Sequence, residues 1–179
     1  MIWESIYWKE DLIRQAKALK KRISQRRWTE RSLANLEKTI MLGFYSIRKL
    51  IEAKQLTQEI VRSQIPLIAY PWKGKQVTLI NWHKVDELYD FERETHVLIS
   101  LLPVCNKMVH SYVFMPCYNE KSQIHSVLVN SDHSRHEALY LITVSEIIRL
   151  FERVGKDYVR MSKMKFDANK GDYEILQAK

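Results

Sequence analysis

Between residues 33 and 51 the chain places Leu33, Leu36, Ile40, Phe44, Ile47 and Ile51 at three- and four-residue steps with no proline among them. Only a helix gathers such positions onto one face, and a stripe this wide must be buried against another element. The helix is expected from about Glu30 to Ala53, with Thr29 as N-cap and Glu30 in the first turn, where a carboxylate complements the helix dipole. Gly43 interrupts the stripe. A glycine inside a helix costs about 1 kcal/mol relative to alanine, so its place here is explained by close approach of a second helix.

The same reading covers the residues on either side. Ile6, Ile13, Ala16 and Ile23, with Leu12 and Leu19, predict a long first helix, and Thr57 is placed to cap a short one ending near Ser63. Then the period changes. PLIAY (66–70) and QVTLI (76–80), around a glycine-containing turn, read as a β-hairpin. HKVDELYD (83–90) reads as helix. A further helix is expected from near Phe91 through HVLISLL, interrupted at Pro103, which removes a backbone donor and forces a kink or a fresh start. SYVFMPCY, SQIHSVLVN and EALYLIT read as three strands separated by polar turns. Thr143 and Glu146 form a capping box before IIRLFERV, and Gly155 ends that helix. The expected fold is therefore α+β: a helical-bundle core of four to five helices, with a β-hairpin and a C-terminal antiparallel meander. A single domain is expected over 1–155, with 156–179 a polar, basic and partly disordered tail.

Composition excludes several classes. With 46% hydrophobic and 28% charged residues the 179-residue chain can build one ordinary core. The longest apolar run, VLISLLPVC, is too short to span a bilayer, and MIWESIYWKEDL has no apolar core of a signal peptide. Cys105 and Cys117 show no disulfide-framework spacing. A cytoplasmic protein without a membrane partner is expected. The net charge of +8 is concentrated early, above all in KALKKRISQRR (17–27). Lys20, Lys21, Arg26 and Arg27 there are either a solvated helix face or the footprint of a phosphate backbone.

Familiar catalytic patterns are missing: the four glycines are scattered, and there is no HExxH, CxxC or nucleophile elbow. Asp132, His133, His136 and Glu137 cluster in SDHSRHE, but a polar turn explains them without a metal. No metal or cofactor is expected. Arg48 and Glu52, four residues apart, either pair on the surface or turn inward to line a polar pocket with His110. Asn106 and His110, in CNKMVH (105–110), also lie four apart on an expected helix.

CNKMVH resembles the motif of the HEPN superfamily, in which an arginine followed by a polar residue such as asparagine precedes a histidine by a few positions. FYSIRKLIEA resembles the helix that packs against that motif. The resemblance covers about residues 30–112. It implies a homodimer in which two motifs meet, histidine moves protons and arginine holds phosphate, the chemistry of metal-independent ribonucleases. Asn106 and His110 match. Cys105 stands where the arginine belongs, and a thiol cannot offer a planar fork of donors to phosphate. The expectation is an accessory or regulatory protein with little or no catalysis, in the defence or toxin–antitoxin setting the resemblance implies. RNA or a partner protein would be bound through Arg48 and the Lys20–Arg27 basic run. The alternatives are an active metal-independent endoribonuclease using His110 and Asn106, with Arg48 or Arg93 as displaced cation, and an unrelated interaction domain in which His110 is structural.

Overall fold

Helices α1 (Ser5–Ile23) and α2 (Glu30–Glu52) bury their apolar stripes in a helical layer whose core is shared with a sheet. The computed structural model describes residues 2–169 and 171–178. After α2 come α3 (Gln58–Val61), β1 (Gln64–Pro71), α4 (Val85–Leu88), β2 (Thr95–Ser100) and α5 (Leu101–Val109). Strands β3 (Ser111–Tyr118), β4 (Ile124–Ser131) and β5 (Ala138–Thr143) follow, then α6 (Val144–Gly155) and a separate two-stranded pairing of β6 (Ser162–Asp167) with β7 (Asp172–Ala178). The first five strands form one antiparallel sheet in the order β2-β1-β5-β4-β3. No helix among the described residues is long and apolar enough to cross a membrane.

The expected helical-bundle core is thus corrected: the described residues form six helices and a five-stranded sheet, with β6 and β7 paired separately. Two misread segments account for the difference. HVLIS was expected to be helical, yet it is edge strand β2, with Val97 and Ile99 packed into the helical core and Leu98 68% exposed on the other side. A short, nearly continuous apolar run fits either element, and only pairing with β1 decides it. QVTLI is not a strand. Val77 is buried while Leu79 and Ile80 project into solvent at 80% and 86% exposure, and Asn81 Oδ1 accepts from both the backbone N–H and the hydroxyl of Thr78.

The sheet separates two apolar layers. Ile65, Leu67, Val127, Val129 and Ile142 face α1, α2, α5 and α6, whereas Tyr70, Val113, Leu128 and Leu139 face the 72–91 segment through Val77, Val85, Leu88 and Tyr89. Under that second layer Asn130 is fully buried. Its Nδ2 donates to the Tyr89 hydroxyl (2.7 Å), its Oδ1 accepts from Val113 N (3.3 Å), and the Tyr89 hydroxyl donates to the Arg135 carbonyl (2.8 Å).

In the first layer two glycines set helix spacing. A Cβ on Gly43 would lie 2.1 Å from Phe151 Cζ, and one on Gly155 would lie 2.7 Å from Ile13 and 2.9 Å from the Lys9 carbonyl. Both positions therefore bring neighbouring helices closer than any side chain allows. Trp8 meets Tyr45 (ring centroids 6.4 Å apart) while Gln15 lies beside Gly43, so α1 and α2 run antiparallel.

Candidate functional site: an arginine–histidine contact between two helices

The C-terminal half of α2 and the end of α5 meet where Arg48 reaches His110. Helix α5 follows β2 directly, with Pro103 in its first turn, where a missing N–H leaves no intrahelical bond unmade. It ends at His110, a C-cap with φ −108° and ψ 33°, whose N–H donates to the Asn106 carbonyl at 3.0 Å. The chain then turns straight into β3, which leaves the imidazole exposed at the helix end.

Arg48 Nη1 lies 2.7 Å from His110 Nε2. An arginine can only donate, so Nε2 must present its lone pair, and the proton of a neutral ring sits on Nδ1. The Arg48 Nε donates to Glu52 Oε1 (2.9 Å), and Lys49 Nζ donates to Glu52 Oε2 (2.8 Å). One carboxylate thus braces two cations and leaves the trio with a single positive charge. Lys49 holds its carboxyl partner below the usual carboxylate range, with Arg48 adding to the effect, and the same hydrogen bond raises the Lys49 ammonium above its ordinary value. Both cations also sit near the negative end of the α2 dipole, which favours them there.

The other polar or reactive residues of CNKMVH divide. Asn106 is half-buried on α5, and its Oδ1 is shielded from solvent with no hydrogen-bond partner among the described residues. Cys105 is fully buried among the residues of the helical core, and burial pushes its thiol up to about 12, against the smaller opposite pull of the Arg48 charge. It is therefore not a nucleophile. Lys107 points to the sheet, with Nζ 4.2 Å from the Tyr140 ring centroid, and burial lowers its ammonium. Arg93 pairs with Asp90 at 2.8 Å.

The basic run is elsewhere. Lys20 pairs with Glu152 at 2.6 Å, while Lys21, Arg26 and Arg27 are exposed. Trp8 marks the end of α1 nearest the site, and Lys20 lies twelve residues further on, about 18 Å along the helix. The patch and the Arg48–His110 contact are therefore separate features. In the SDHSRHE turn the polar side chains serve the fold: Asp132 pairs with Arg135, and His136 accepts from Val77 N while packing on Trp72. No three His, Cys, Asp or Glu side chains among the described residues gather as metal ligands would.

Three neighbours were not among the expected site residues: Trp8, Tyr45 and Lys49. Tyr45, Lys49 and Glu52 lie at i, i+4 and i+7, a spacing that does place them on one face of α2. The signal was legible only as a polar stripe beside the apolar one. Comparisons with protein-family models, with curated proteins and with solved structures found no match for the chain.

Proposed function

We propose that this chain binds RNA at the Arg48–His110 contact, with little or no cleavage. It would do so in the accessory or regulatory role, within a defence or toxin–antitoxin setting, that the resemblance of CNKMVH implies. The supporting observation is the 2.7 Å contact itself, because it places a cation beside the motif histidine although Cys105 cannot supply one. A phosphodiester oxygen competes with His110 for the Arg48 N–H groups. Once Arg48 turns to phosphate, the freed Nε2 lone pair accepts a hydrogen bond from a ribose 2′-OH, the group that distinguishes RNA from DNA. Glu52 keeps the guanidinium oriented during this exchange.

Efficient strand cleavage needs more. A base must take the 2′-OH proton and an acid must protonate the leaving 5′-oxygen. In one copy the groups beside His110 serve the second role poorly: Glu52 is held ionised, Lys49 holds its proton tightly, and Arg48 and Asn106 do not exchange protons near neutral pH. The second reading, a metal-independent endoribonuclease, is favoured by the same contact if a homodimer supplies another His110.

The test is anisotropy of a labelled, unstructured RNA decamer and its DNA counterpart, alongside a cleavage assay in EDTA. The proposal expects preference for RNA, affinity that falls with salt, loss of binding in Arg48→Ala, and no EDTA-resistant cutting. Binding that ignores Arg48, or equal affinity for DNA, would overturn it. Cutting abolished by His110→Ala at unchanged melting temperature would establish the second reading.

A further inference from the structure

Beside the Arg48–Glu52 pair, on the α1 side of α2, lies a cleft of about 330 Å³ lined by Ile2, Trp8, Tyr45, Lys49, Glu52 and Ala53. Its walls are aromatic and apolar, and its rim is charged. The Trp8 and Tyr45 rings are splayed at 37° with centroids 6.4 Å apart, so neither covers the face of the other. Tyr45 is 40% exposed. Lys49 Nζ stands 5.8 Å from the Tyr45 ring centroid and 2.8 Å from Glu52 Oε2. Glu52 therefore belongs both to the cleft and to the Arg48–His110 contact, and the two are one continuous surface.

We propose that this cleft takes a nucleobase of the bound RNA, stacked on Tyr45 and Trp8, and that the RNA is therefore single-stranded. The inference rests on the RNA-binding reading above and adds the form of RNA recognised. Three features point to a base rather than to an apolar side chain. The exposed part of the Tyr45 ring, with Trp8 tilted beside it, offers a stacking surface, which accepts any base because every base has a π-face. Lys49 in the lining and Arg48 beside it share the Glu52 carboxylate, and the one positive charge left over suits a phosphate attached to that base. The step along α2 from Tyr45 to Arg48 is three residues, about 4.5 Å of helix rise, so base and phosphate of one nucleotide fall within a single reach. In a duplex the base faces are already stacked and the edges paired. A double-stranded RNA would have to be unpaired before a base could enter.

The experiment measures anisotropy of a labelled single-stranded RNA decamer, the same decamer with its bases removed, and the decamer annealed to its complement. Each is titrated with the unaltered chain and with the Tyr45→Ala, Tyr45→Phe and Arg48→Ala variants. The expected result is that Tyr45→Ala loses about tenfold in affinity for the base-bearing single strand, the worth of roughly one stacked base. Tyr45→Phe, which keeps the ring, retains affinity, and neither variant changes binding of the abasic strand. The duplex binds more weakly than the single strand. Arg48→Ala weakens base-bearing and abasic strands alike. If Arg48→Ala weakens binding while Tyr45→Ala does not, the cleft proposal falls and the RNA-binding reading stands. If binding ignores Arg48 but depends on the Tyr45 ring, the cleft stands and the assignment of phosphate to Arg48 falls. A Tyr45→Phe variant as weak as Tyr45→Ala would also overturn stacking, since it would trace the effect to the hydroxyl.

Discussion

Replacing Gly43 with alanine adds one methyl group where α2 passes closest to Phe151 of α6. The new Cβ would lie 2.1 Å from Phe151 Cζ, 2.3 Å from Phe151 Cε2 and 2.7 Å from Gln15 Oε1. Carbon atoms settle at about 3.5–4.0 Å, so the ring or the helix must move by roughly 1.5 Å. Phe151 has little freedom to do so: it is fully buried and meets Phe44 edge-on at 5.4 Å. Overpacking of this kind costs about 1–3 kcal/mol, and a displacement this large belongs near the upper end. The substitution also gains about 1 kcal/mol of helix propensity. The net is a loss of about 1–2 kcal/mol. For a chain of this length each kcal/mol lowers the melting temperature by roughly 2–4 °C, so circular dichroism should show a fall of about 2–8 °C. A second substitution, Phe151→Leu, shortens the offending ring. The double variant should be more stable than the sum of the two single losses. A Gly43→Ala protein as stable as the original, or strictly additive losses, would refute the close-approach argument. The site depends on the same contact, because Tyr45, Arg48, Lys49 and Glu52 all follow Gly43 on α2.

Placing an arginine in the core by Cys105→Arg should cost several kcal/mol, because a guanidinium that cannot lose its charge would enter it, and a folded variant that cuts RNA would contradict this. The buried thiol also sets a pH signature. Its raised value contributes stability that is present below the ordinary thiol value and lost as pH rises from there through about 12, so Cys105→Ala should show a shallower alkaline loss in urea titrations than the unaltered chain, and equal slopes would count against it. Lys9 is 2% exposed, donates to the Gln55 carbonyl at 2.9 Å and lies 5.0 Å from the Tyr158 ring centroid. Burial holds its ammonium below 10.5, with Asp157 opposing, so its contribution is present above 10.5 and lost as pH falls through the lowered value; relative to Lys9→Met the unaltered protein should gain stability with rising pH, and a pH-independent difference would contradict this. Tyr89→Phe removes the hydroxyl that joins Asn130 to Arg135 and should cost about 1–3 kcal/mol in urea unfolding, whereas a loss under about 0.5 kcal/mol would mean the network is not a stabilising one.

How far the sequence reaches depends on whether a signal is local. Helix α2 is legible because its stripe, its N-cap and its glycine are all written within 24 residues. Thr29 accepts from Ser32 N, and the Ser32 hydroxyl accepts from Thr29 N in return. Thr143 likewise accepts from Glu146 N. The sheet is not legible in the same way. HVLIS becomes a strand only because Ile65 and Leu67 of β1 lie opposite Ile99 and Val97, partners more than 29 residues distant. QVTLI carries β-prone residues but finds no strand to pair with, so Val77 alone is drawn inward. The site divides along the same line. Asn106 and His110 lie four apart in sequence, and spacing alone singles them out. The cation beside His110 comes from a different helix, 62 residues earlier, and spacing could only name Arg48 as one of two candidates. The aromatic cleft could not be found at all, since Trp8 and Tyr45 meet only through the antiparallel packing of α1 on α2.

If Arg48 and His110 act together on RNA, as proposed, the imidazole nitrogens report this directly. Long-range nitrogen–proton NMR of histidine-labelled protein, at a pH where the ring is neutral, should show His110 carrying its proton on Nδ1, with Nε2 as acceptor. Titration with the single-stranded RNA decamer should then move the Nε2 resonance, and Arg48→Ala should both alter the free-state signal and abolish the response. A ring protonated on Nε2, or an Nε2 resonance that RNA leaves unmoved, would contradict the account.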